Sequence, residues 1–339
     1  MQLSDLKKID KKRMFEIYDK WPEISRESFA NKFEKFDVKE IDHVVFAGMG
    51  GSGSIGDVIG SILSKEDIHV SNVKGYLLPK TVDSKTLVIA TSVSGNTTEV
   101  LSILKSLKDT STKLLGFSSG GLMEEYCTKN KICFQKIPMY HSPRASFPSF
   151  LYSILNILGP ILPIKENDIY DSISSLEKTR QNIFSGNLSE NNKAINLAEF
   201  IRDVICIYYP GGLRSAAIRY KNSLQENTKI HVTAEDVLES CHNGVVAWEK
   251  DSRVRPILIQ GKDDHFRTKE RWSILKELLD SKGIKYQSVE SVEGNILSKI
   301  TNLIYLLDYS SIYASVLSKT DPSPVESIDF IKKRLYWQV

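Results

Sequence analysis

Short apolar runs recur along the chain, each leading through a glycine- or hydroxyl-rich turn into a segment of helical periodicity. Val44-Val45-Phe46-Ala47 is the first, a run of the kind buried on both faces of a parallel sheet. It enters the turn Gly48-Met49-Gly50-Gly51-Ser52-Gly53, beyond which Ile55, Val58, Ile59, Ile62 and Leu63 repeat at helical spacing. Ile68–Val73 and Thr86–Ala90 read as the next strands. The latter runs into Ser92-Val93-Ser94-Gly95-Asn96-Thr97 and then a helix with Val100, Leu104 and Leu107 on one face. Lys113–Phe117 and Lys131–Ile137 add two more strands, and Pro143-Arg144 with the apolar Ser149–Leu158 closes this half. Such alternation predicts a doubly wound parallel α/β sheet.

The stretch 160–196 is polar and helix-prone. A second alternation starts at Val204–Tyr209, turns at Pro210-Gly211-Gly212, and continues as a helix from about Ser215. Further strands are expected at Arg255–Ile259 and Ile284–Val289, with helices at Ala234–Ser240, Lys269–Leu279, Ile296–Ser318 and Ile328–Leu335. The two halves share a plan without sharing a sequence repeat. The expected organisation is a helical lead-in (1–35), a first α/β domain (36–165), a helical linker (166–196) and a second α/β domain with a C-terminal helix (197–339).

At 339 residues the chain is long for one hydrophobic core. Hydrophobic residues at 41% and charged residues at 26% fit a soluble globular protein, and a net charge of +3 gives no ground for a nucleic-acid partner. The charged opening segment does not read as a signal peptide, and no apolar run approaches the ~20 residues of a membrane-spanning helix. Four scattered cysteines suit a reducing cytoplasm, and the dispersed cysteines and histidines predict no metal site.

Gly48, Gly50 and Gly53 satisfy the dinucleotide-binding GxGxxG after a strand. That pattern also wants a carboxylate ending the next strand, where Val73-Lys74-Gly75-Tyr76 supplies none. The second turn points elsewhere. Ser92, Ser94 and Thr97 place three hydroxyls ahead of a helix N-terminus, where unsatisfied N–H groups and partial positive charge attract phosphate. Helix capping by Ser94 or Thr97 is the alternative.

GMGGSGSIGD followed by TSVSGNTTE resembles the SIS (sugar isomerase) domain, and within it the archaeal-type bifunctional phosphoglucose/phosphomannose isomerases. The likeness runs from about residue 40 to the C-terminus. It also rests on Pro143-Arg144-Ala145, on Gln225–Lys229 with Cys241-His242-Asn243, and on Asp321–Val325 leading into Ile328–Lys332. The resemblance implies two three-layer αβα SIS domains and interconversion of glucose 6-phosphate or mannose 6-phosphate with fructose 6-phosphate, without metal or other cofactor. It implies that Ser92, Ser94 and Thr97 bind the phosphate and that Gly51 and Ser52 line the substrate pocket. Glu226 would be the base, His242 the ring-opening group, Arg144 the enediolate-stabilising cation and Lys332 a helper at the ring oxygen. A cytoplasmic homodimer whose histidine comes from the neighbouring subunit is implied as well. Three positions depart from the family's pattern: Val93 for an aromatic, Thr228 for an alanine, and Gly244 for an acid.

The residues themselves fit this chemistry. Glu226 lies near the predicted end of the helix from Ser215, at the negative end of the helix dipole, as a carboxylate that could take and return a proton. His242 offers an imidazole able to move a proton, and Arg144, wedged between Pro143 and Pro148, offers a guanidinium to an anionic intermediate. A solvated surface role, or for His242 a helix-end role, stays open for each, as it does for Lys332 beside Lys333 and Arg334. Two other functions remain: a non-catalytic sugar-phosphate sensor and an isomerase of the same fold for another sugar phosphate.

Overall fold

The computed structural model describes residues 1–33, 36, 38, 40–108 and 110–335. Positions 34, 35, 37, 39, 109 and 336–339, in the expected lead-in, first domain and C-terminal segment, lie outside the described residues.

The chain opens with three helices, α1 (Leu3–Ile9), α2 (Met14–Asp19) and α3 (Trp21–Ala30). It continues through β1 (His43–Ala47), α4 (Gly50–Leu63), β2 (His69–Val73), β3 (Thr86–Ser92), α5 (Thr98–Ser106), β4 (Lys113–Ser118), α6 (Gly121–Lys129), β5 (Cys133–Lys136) and α7 (Phe147–Leu158). Helices α8 (Glu166–Ile183) and α9 (Lys193–Phe200) precede β6 (Val204–Tyr209), α10 (Arg214–Thr228), β7 (Val232–Asp236), α11 (Val237–Ser240) and β8 (Val254–Gln260). The chain then forms α12 (Phe266–Ser281), β9 (Gln287–Glu290), α13 (Ile296–Leu317) and α14 (Glu326–Lys332).

These elements gather into two compact units, each drawn from two stretches of chain. One unit joins Lys20–Tyr170 to the segment from Glu326 onward. Its sheet has the order β2-β1-β3-β4-β5, all parallel, with His43 opposite His69 and Thr86. Every residue of β1 and β3 is buried, so both faces of the sheet are covered by helices. Val100, Leu104, Met123 and Cys127 pack on one patch of it, and Ile103 and Leu107 on another with Val45 and Val88.

The other unit joins Met1–Asp19 to Asp171–Val325. Its four parallel strands run β7-β6-β8-β9. Tyr208, Leu258, Trp248 and Trp272 build one side of its core. The long helix α13 is buried along nearly its whole length, with apolar residues on every side and buried polar residues such as Asp308 held by hydrogen bonds. Tyr305, Tyr309 and Tyr313 line one face of α13 at four-residue spacing, with the last two rings stacked at 4.7 Å. Their hydroxyls donate to Tyr18 O, Asp19 Oδ1 and Ile183 O, at 2.8, 2.5 and 2.6 Å. A row of phenols thus clamps α2 and the end of α8 onto α13.

Two local expectations need correction. Ala234–Ser240 is not one helix: Val232–Asp236 pairs in parallel with β6, and the helix starts only at Val237. Asp236 sets the break, its carboxylate accepting the N–H groups of Leu238 and Glu239 as an N-cap. The first glycine turn is also shorter than expected. The helix begins at Gly50, so Gly51, Ser52 and Gly53 form its first turn. No helix among the described residues is long and apolar enough to cross a membrane.

Candidate active site

In an open parallel sheet, ligands gather beyond the carboxyl ends of the strands where the winding reverses. In the five-stranded sheet that point lies between β1 and β3, since the chain passes from β1 to β2 on one side and on to β3 on the other. The two turns singled out by sequence leave these two strands.

Ser52, in the first turn of α4, accepts the Val93 N–H at 3.0 Å and so ties the glycine turn to the serine turn. The glycines permit close packing rather than free movement. A Cβ on Gly53 would stand 2.7 Å from Gly48 O, and one on Gly95, at φ +71°, only 1.7 Å from Gly120 O. The neighbouring loop after β4 braces the serine turn: Ser119 N–H and Met123 N–H donate to Val93 O and Gly95 O, and Leu122 N–H to Asn96 Oδ1. That bracing was not visible in the sequence, where Ser118–Leu122 carries no signal beyond paired glycines.

The capping alternative for the serine turn now has an answer. Thr97 is the N-cap of α5, yet its side chain accepts no N–H of that helix. Its hydroxyl instead lies 2.7 Å from Ser92 Oγ. Ser94 accepts the Asn96 N–H at a long 3.3 Å. Two helix N-termini and three hydroxyls therefore stand together, with the hydroxyls not spent on closing a helix. Where a dinucleotide fold would place its carboxylate, Lys74 instead pairs with the buried Asp57 of α4 at 2.5 Å.

Gly51 faces the loop that carries Arg144: a Cβ there would meet Pro143 O at 3.4 Å and Arg144 N at 3.6 Å. Arg144 is 6% exposed, which removes the plain surface reading. Its loop is held by Trp21, whose indole N–H donates to Ala145 O at 3.1 Å, and by Ser146, which accepts the Tyr140 N–H at 2.8 Å. The structure thus brings Gly51, Ser52, Ser92, Ser94, Thr97 and Arg144 into one neighbourhood of one unit. Lys332, in the same unit, is exposed on α14, a helix with no buried residue.

Glu226 and His242 belong to the other unit. Glu226 is half-buried in the last turn of α10. That helix is fixed to α13 by a buried ion pair, Arg219 to Asp308 at 2.6 Å, with Ser223 donating to the other carboxylate oxygen at 2.7 Å. Burial pushes the Asp308 carboxyl above its ordinary range, while Arg219 and Ser223 pull against it. Asn227, next to Glu226, donates to Ser311 at 2.7 Å. Beyond the helix, Lys229 adopts φ +62° and its ammonium reaches Pro324 O at 2.7 Å, joining two of the sequence signatures. Asp308 lay hidden within an apolar helix and was missed by sequence reasoning. His242 is exposed just after α11, its N–H bonded to Glu239 O. Among the described residues, no group of three His, Cys, Asp or Glu side chains could hold a metal ion.

A protein from Caldicellulosiruptor bescii named bifunctional phosphoglucose/phosphomannose isomerase is 31% identical over 335 residues, spanning 95% of this chain and 98% of its own. The chain belongs to that family. An Aquifex aeolicus protein of the same name is 29% identical, over 91% of this chain and 96% of its own. Residues 190–335 match the family described as bacterial phospho-glucose isomerase C-terminal SIS domain. Among solved structures, a hypothetical protein from Thermus thermophilus shares the fold, with a TM-score of 0.75 at 14% identity over 97% of this chain and 92% of that one.

The departures from the family's pattern have local accommodations. Val93 is fully buried. Thr228 bonds its hydroxyl back to Leu224 O, and a Cβ at Gly244 would come 2.5 Å from Glu235 Oε2, so this chain sets a carboxylate from β7 beside its missing acid.

Proposed function

We infer that the chain is an aldose–ketose isomerase, interconverting glucose 6-phosphate and mannose 6-phosphate with fructose 6-phosphate by metal-free enediol proton transfer. The observation that carries this reading is the serine turn, whose hydroxyls and paired helix N-termini suit a phosphate dianion. In the proposed mechanism Ser92, Ser94 and Thr97 hold the phosphate, and Gly51 and Ser52 border the sugar. His242 opens the ring by moving a proton at the ring oxygen, assisted by Lys332. Glu226 then takes the C2 proton and returns it to C1, work that contributes roughly 10²–10⁴-fold. Arg144 offsets the charge of the enediolate, and its burial strengthens that effect because little water screens it.

We further propose a cytoplasmic homodimer in which His242 serves the neighbouring subunit's substrate. Its exposure supports this, as does the apolar character of the exposed α14 residues Ile328, Phe330 and Ile331.

The test is turnover of fructose 6-phosphate with and without a chelator. Glu226→Gln is expected to lower kcat by roughly 10²–10⁴-fold, and the chelator to change nothing. Loss of turnover on chelation would overturn the metal-free reading. Tight binding without turnover in the native protein would establish a sensor instead.

A further inference from the structure

A polar cavity lies wholly within the four-stranded unit and takes no part in the chemistry above. It has a volume of about 320 Å³ and opens between α8 and the loop that links β9 to α13. That loop leaves the carboxyl end of its strand, where open α/β sheets gather ligands. It ends at the N-terminus of α13, a 22-residue helix in which Asn295 Oδ1 accepts the Ser298 N–H at 2.8 Å and the N–H groups of Ile296 and Leu297 have no intrahelical acceptors.

One group there has no assigned task. Ser298 is 3% exposed, its hydroxyl has no hydrogen-bond partner, and it forms part of the cavity wall. A buried hydroxyl left unpaired costs free energy unless something arrives to meet it. On the opposite wall, Ser175 and Thr179 both accept from the side-chain amide of Asn302, Ser175 at 3.3 Å. Having accepted there, each keeps its own O–H to donate elsewhere. Lys178 adds an ammonium, and the α13 terminus adds partial positive charge. Donors thus crowd one part of the cavity, while the exposed carboxylates of Asp171 and Glu293 supply acceptors.

We propose that this cavity binds a small phosphorylated polyol, its phosphate against Lys178, Ser298 and the α13 N-terminus and its hydroxyls on Asp171 and Glu293. The site is separate from Glu226. That residue adjoins Asn227, which bonds Ser311, and Ser298 precedes Ser311 by 13 residues. This is roughly 20 Å of helix rise.

Calorimetric titration of the full chain with glycerol 3-phosphate tests it. Binding is expected to survive Ser94→Ala/Thr97→Val, and to weaken about tenfold or more in Lys178→Ala and in Ser298→Ala. Isomerase turnover in Lys178→Ala should match the native protein, so the cavity stands or falls apart from the catalytic reading. Lys178 is exposed, and its loss should leave folding intact. Unchanged affinity in Lys178→Ala, or no binding outside the serine turn, overturns the proposal. So does inorganic phosphate binding as tightly as glycerol 3-phosphate, which would leave the carboxylates without a role.

Discussion

Thr97 holds the position of a helix cap but spends its hydroxyl on Ser92. The two side chains therefore act as one unit: each polarises the other and each keeps capacity to meet a phosphate oxygen. Thr97→Val is expected to raise KM for fructose 6-phosphate about tenfold, the loss of one hydrogen bond to a charged group. Ser92→Ala should do likewise. The double variant should cost clearly less than the sum of the two, because either single change already breaks the shared bond. Steady-state kinetics on the four proteins closes that cycle. Additive effects would mean that the hydroxyls reach the substrate independently.

At the scale of elements, α10 carries Glu226, and the Arg219–Asp308 pair fixes α10 to α13. Both side chains are buried, at 3% and 0% exposure, so removing one leaves the other charged and unsolvated. Arg219→Met should cost about 3–5 kcal/mol of stability in urea unfolding. Arg219→Met/Asp308→Leu should recover much of that loss, since an apolar pair of similar volume replaces the ions at little cost. Recovery of stability without recovery of kcat would show that the pair sets the aim of Glu226. The strands were legible in sequence wherever burial on both faces made a run continuously apolar, as in Val44–Ala47 and Val204–Tyr209. β7 was not, because it is an edge strand of mixed composition, Val-Thr-Ala-Glu-Asp, whose identity comes from pairing with β6. The cluster of hydroxyls in the serine turn could be picked out because its spacing is local. The ion pair could not, because its partners lie 89 residues apart.

For the molecule as a whole, the proposed exchange of His242 between subunits has a direct consequence. A Glu226→Gln chain and a His242→Ala chain, each nearly inactive, should complement on mixing and reassembly. A mixed dimer holds one site with both groups intact, so random pairing should restore roughly a quarter of native activity. No recovery would place both groups on one chain. The division of the chain also has a consequence in time. Helices α1 and α2 bury Leu6, Met14, Phe15 and Tyr18, yet the phenols of Tyr305 and Tyr309 that receive α2 come nearly 290 residues later in synthesis. At ~5–20 residues per second the ribosome takes roughly 15–60 s to cover that distance. Throughout that interval the apolar face of the first nineteen residues must wait, while Lys20–Tyr170 can already condense around its own sheet. Residues 1–19 are thus made long before the helix that receives them, and it is there that the nascent chain has most need of a chaperone.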